Sequence, residues 1–151
     1  MSTTTAPTVT SAPSATSTPT GSRPLTVIRR TAWLLGALFW SAFTIVEAIN
    51  HGWLAGLLAV VFFIAPDLTF AVGAGEAGRL RLEKGQLQPK AVPFYNLAHR
   101  ALVPFALAVV CTVLPGDWTP AFAGMCGWLA HISYDRAFGY GLRTKEGFQR
   151  A

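Results

Sequence analysis

Asp67, His99, His131 and Asp135 are the residues of this chain whose types could carry chemistry. Neutral imidazoles and carboxylates are ligands for a zinc-like or iron-like divalent metal, which could activate water against a substrate. Without a metal, the same four could work as general acid and base, because apolar surroundings favour the protonated carboxyl. His131 and Asp135 are four apart in "AHISYDRAFGYGLR" and share one helix face. Asn96 stands three and four residues before His99 and Arg100, on one face in the same way. Arg136 could hold an anionic part of a substrate, with Asn96 beside it. A structural account competes with all of this: Asp135 could pair with Arg136 or Arg100, Asn96 and the histidines could be interhelical hydrogen-bond partners, and the arginines could reach for headgroups.

The elements that must position these residues are apolar. Of 151 residues, 52% are hydrophobic and only 13% charged, values that point to a membrane protein. The formal charge of +5 does not suggest nucleic acid, because the basic residues punctuate apolar runs. A bilayer core of about 30 Å needs roughly 20 helical residues. Four stretches meet that need, at about 31–49, 53–73, 94–114 and 120–141. The third is long enough only if it takes in "FYNLAHR", and the fourth only if it includes His131 and Asp135. The expected fold is all-α: a four-transmembrane-helix bundle of two helical hairpins over residues 25–151, after a disordered Ser/Thr/Pro-rich tail at 1–24. All 12 Lys and Arg residues then lie toward one side, and neither "NHG" nor "PGDWT" on the other side contains one. The positive-inside rule places both termini in the cytoplasm, in a multi-pass protein of the cell membrane. At about 1.5 Å per residue, Asp67, His99 and Asp135 come to a common depth near the cytoplasmic face.

Other features read more plainly. Cys111 and Cys126 are small buried hydrophobes without metal-type spacing. Glu47, Asn50 and His51 suit a hydrated turn, and Trp53, Trp118 and Tyr95 suit interface anchors. The small residues of "AFAGMCGWLA" suit close helix packing. "GAGEAG" at 73–78 lacks the strand and the downstream acid of a dinucleotide site. Pro66 is expected to kink the second span beside Asp67.

"FFIAPDLTF" (62–70), "YNLAHR" (95–100) and "WLAHISYDRAFGYGLRTKEGF" (128–148) together resemble the integral-membrane family of unknown function DUF4260. The resemblance runs over about 31–148 and implies that Asp67, Asn96, His99, His131, Asp135, Arg136 and the Gly-Tyr-Gly around Tyr140 matter. The family's Glu near the start of the first span has no match here, and the loop before Tyr95 is long. The resulting expectation is a small membrane enzyme acting on an apolar or lipid-like molecule. Asp67, His99, His131 and Asp135 would serve as acid/base groups or ligands to a divalent metal, and Asn96, Arg136 and Tyr140 would hold substrate. A proton-linked carrier or channel subunit, enclosing its path as a homo-oligomer, and a non-catalytic membrane scaffold are the alternatives.

Overall fold

The structure is a computed structural model, and it describes residues 23–77 and 82–150. Nearly all of the tail read as disordered lies outside the described residues; Arg23 and Pro24, its last two, already belong to the first helix.

The described residues are helical, with a single isolated bridge between Arg143 and Gln149. Helix α1 spans Arg23–His51 and is followed, after Gly52, by α2 at Trp53–Ile64. Gly52 has a φ of 84°, the left-handed region that glycine enters without a Cβ penalty, so the chain reverses within one residue. Pro66 has no N–H to give to the carbonyl four residues back, and α2 tightens into a 3-10 segment at Ala65–Ala71. A single turn, α3 (Ala74–Ala77), follows. The third apolar stretch is two helices, α4 (Val92–Ala98) and α5 (Leu102–Val113), with a 46° bend between them. Pro104 in the first turn of α5 explains the break, because its ring cannot accept the carbonyl of Arg100 in a continuous helix. Helix α6 runs from Thr119 to Phe138.

Two helices are long and apolar enough to cross a membrane, Pro24–His51 and Trp53–Ala71, and the bent pair makes a third if it is one span. The stretch read as a fourth span behaves differently. At 20 residues α6 is long enough, but its composition is not apolar enough. The physical reason is its position. Helices α1, α2 and α5 all pack against it, and half of its residues are buried, so it has little surface to offer to lipid. A helix covered by other helices needs small residues for close approach more than it needs Leu and Val. Gly127 shows this directly, since a Cβ there would overlap the carbonyl of Ala59 on α2. Ala55, Ala59 and Ala123 form the buried seam beside it. The outer faces of the surrounding helices carry the large apolar side chains, among them Leu38, Leu57, Val60, Phe105 and Val109. An apolar coat of that extent is unsuited to water.

Helix α6 also ends earlier than the 141 read from the sequence. Gly139 takes a φ of 95°, its N–H donates to the carbonyl of Arg136 at 3.2 Å, and the Tyr140 N–H donates to that of Asp135 at 2.8 Å. These are the two bonds of a Schellman cap. Beyond it the chain folds back over the end of α4, with Thr144 N–H on the Phe148 carbonyl at 2.7 Å and Leu87 N–H on that of Gly147 at 2.9 Å.

Candidate metal centre

Each break in helical regularity delivers a polar side chain to one point. The 3-10 segment carries Asp67 in its first turn, and the Thr69 hydroxyl ties that turn by donating to the Pro66 carbonyl at 2.6 Å. His99 stands at the end of α4, where the break before α5 leaves carbonyls without helical partners. Two side chains of α6 take up those carbonyls. The Trp128 indole N–H donates to Ala98 at 2.7 Å, and Arg136 Nη2 donates to His99 at 3.1 Å. The same α6 presents His131 and Asp135, one turn apart, toward the break.

The structure thus brings Asp67, His99, His131 and Asp135 together. His99 Nε2 lies 3.4 Å from His131 Nε2, 3.3 Å from Asp135 Oδ2 and 4.0 Å from Asp67 Oδ1. His131 Nε2 lies 3.5 Å from Asp67 Oδ1 and 3.6 Å from Asp135 Oδ2. The ligand atoms of Asp67, His99 and His131 all fall within 4.8 Å of one another. Both imidazoles are buried, whereas the Asp67 side chain is 54% exposed, so the cluster is open on the Asp67 side.

Protonation is constrained by the backbone. His99 Nδ1 is 2.9 Å from the carbonyl of Tyr95, which can only accept, so Nδ1 carries the proton and neutral His99 turns a bare lone pair on Nε2 into the cluster. That lone pair faces two carboxylate oxygens and a second imidazole nitrogen. Such an assembly of acceptors requires a proton or a cation among them. A tetrahedral site with ligand bonds of about 2.0–2.2 Å sets its ligand atoms about 3.3–3.6 Å apart. Four of the five separations given above have that spacing, and His99 to Asp67 is the longer one.

Aromatic rings hold the imidazoles in place. Tyr95 stacks on His99 with centroids 3.9 Å apart and planes at 19°, and Phe63 meets His131 edge-on at 5.4 Å. Tyr95 is therefore no interface anchor. It is buried, its hydroxyl donates to Gly141 at 3.3 Å, and its spacing of four before His99 was the signal for this contact. Trp128 and Phe63 had no comparable sign in the sequence.

The remaining sequence-read residues lie around the cluster, not in it. Asn96 clasps the C-terminal segment, donating to the Arg143 carbonyl at 3.0 Å and accepting from its N–H at 2.7 Å, and does not pair with His99 or Arg100. Arg136 spans the His99 carbonyl and, at 3.3 Å, that of Tyr140; the Tyr140 side chain is exposed. Asp135 faces the histidines, not Arg136 or Arg100. At the opposite end, His51 and Glu47 approach to 3.4 Å. An apolar recess of about 200 Å³ lies between α1, α2 and α6, with Phe63 in its wall and Ser41 and Thr44 as its hydroxyls. The Thr44 hydroxyl has no hydrogen-bond partner.

Residues 86–151 match the family model of DUF4260, a domain of unknown function. Over those residues the chain is similar to DUF4260. Of the cluster, the DUF4260 match contains His99, His131 and Asp135, and it contains Asn96, Arg136 and Tyr140 around them. Asp67 lies outside it, so the match is narrower than the 31–148 over which the resemblance was read. No curated protein and no solved structure matches the chain.

Proposed function

We propose that the chain is a small integral membrane enzyme that holds a divalent metal at Asp67, His99, His131 and Asp135 and acts on a lipid-like molecule. The observation that carries this reading is the convergence of the two imidazole Nε2 atoms and an Asp67 carboxylate oxygen within 4.8 Å of one another, with Asp135 Oδ2 3.3 and 3.6 Å from the two imidazoles. Two carboxylates with two neutral imidazoles would balance a divalent charge. Such a metal, when bound, lowers the pKa of a coordinated water toward neutrality. The chain's own residues do the rest. Tyr95 O fixes the His99 tautomer, and the Tyr95 and Phe63 rings restrain the two imidazoles. The exposed Asp67 is the member that a substrate meets first, and it is placed to exchange a proton or give up a position. The apolar recess shares Phe63 with the cluster and supports a hydrocarbon-bearing substrate.

The proposal includes topology. Helix α6 and the bent α4–α5 pair complete a four-span bundle, with both termini and the 74–93 loop cytoplasmic in the cell membrane. Support comes from the one-sided distribution of Lys and Arg.

Elemental mass spectrometry of the detergent-purified protein tests the metal. Near-stoichiometric zinc, iron or manganese is expected in the wild type and is expected to be lost in His99→Ala and in His131→Ala, with helicity and monodisperse elution kept. A wild type that stays metal-free after reconstitution with each of these ions overturns the reading.

A further inference from the structure

A second concavity lies next to the cluster and has the opposite charge. It is a recess of about 330 Å³ whose wall includes Arg29 and Trp33 of α1, Arg136 of α6, and Tyr140 and Arg150 of the C-terminal segment. Three arginines from three separate parts of the chain line it. Among the described residues no carboxylate lies within ion-pair distance of any of them. Arginines that only reach for a bilayer surface splay outward along their own helices. These line one recess, and the fold is shaped to let them. The Schellman cap at Gly139 turns the chain back so that Arg150 lines the recess with Arg29 of α1, with Arg150 N–H on the Leu142 carbonyl at 2.9 Å and Arg150 Nε on that of Arg143 at 3.1 Å. Gly139 is favoured here by its φ of 95°, and a side chain added to it would push aside only the far end of Arg30.

We infer that this recess, lined by Arg29, Arg136 and Arg150, is a binding site for a phosphomonoester anion. Guanidinium forks match phosphate oxygens in geometry as well as charge, and three of them provide more donors than a carboxylate can use. Arg136 spends two N–H groups on the His99 and Tyr140 carbonyls and keeps three of its five. Trp33 and Tyr140 on the rim have the amphipathic rings that sit at headgroup level. The recess is at the low end of the ~300–1,000 Å³ of small-molecule sites, enough for a headgroup but not for its acyl chains. The inference rests on the recess alone and goes beyond the metal reading. Arg136 joins the two, because the residue facing the anion also holds the carbonyl of a cluster histidine.

Calorimetric titration of the detergent-solubilised full chain is the test, with three probes at fixed salt: dioctanoyl phosphatidic acid, inorganic phosphate and dioctanoyl phosphatidylcholine. Saturable binding of phosphatidic acid is expected, weakened at least about tenfold in Arg29→Gln and in Arg150→Gln, whose exposed side chains can change without unfolding the protein. Binding is expected to persist in His131→Ala, so that loss of metal and loss of anion are separable. Inorganic phosphate binding as tightly as phosphatidic acid identifies a free phosphate as the ligand, and phosphatidic acid binding alone identifies a lipid headgroup; both support the site. Equal binding of phosphatidylcholine, or undiminished binding in both arginine variants, overturns it.

Discussion

At the scale of single residues, the cluster depends on side chains that stand outside it. Trp128 satisfies the Ala98 carbonyl at the break between α4 and α5 with the indole N–H. Trp128→Phe keeps the ring and removes the donor, leaving a carbonyl in apolar surroundings. A loss of about 1–3 kcal/mol is expected, read as a lowered thermal midpoint in detergent. Arg136→Lys is the parallel case. A lysine ammonium cannot bridge the His99 and Tyr140 carbonyls as a planar fork does. The variant is expected to fold but to bind metal several-fold more weakly by competitive chelator titration, because His99 is no longer held from behind. Full-strength metal binding in Arg136→Lys would show that the break holds itself in place.

At the scale of elements, prolines and glycines decide where the cluster forms. Pro104 breaks the third apolar stretch at the residue that puts His99 opposite His131. In Pro104→Ala an N–H replaces the ring that faces the Arg100 carbonyl, which in the wild type accepts from the Val103 N–H, and α4 and α5 can join. Helicity by circular dichroism is expected to hold or rise slightly while metal content falls, a combination that simple unfolding does not produce. Gly127 has the complementary role of letting α2 and α6 close up, which brings Asp67 within 3.5 Å of His131. Gly127→Ala must push the helices apart or bend them, at a cost of about 1–3 kcal/mol. A thermal midpoint equal to the wild type's would contradict that close approach.

At the scale of the whole molecule, three regions of different chemistry adjoin: an apolar recess, a cluster of imidazole and carboxylate groups, and a basic recess. Phe63 joins the first to the second, and Arg136 the second to the third. The proposed topology places Asn50 and Lys84 on opposite sides of the membrane. With Cys111 and Cys126 both changed to Ala, Lys84→Cys is expected to react with an impermeant maleimide only from the cytoplasmic face, and Asn50→Cys only from the other. The sequence by itself determined the helical class, two membrane-capable helices and the identity of the polar residues, because hydropathy and charge are local quantities that a window along the chain can sum. Through helical rise per residue it also pointed to Asp67, His99 and Asp135 as neighbours, and the structure brings both carboxylates within 4.0 Å of His99. It could not say that α6 is enclosed, since its small and polar residues read as a weak span until the helices around it are known. Nor could it show that Asn96 reaches Arg143, or that Arg29 and Arg150 share a recess. Those pairings join residues 47 and 121 positions apart in the chain. Rotation of one helix about its axis decides which of its faces meets which neighbour, and that angle is set only when all the packed surfaces are satisfied together.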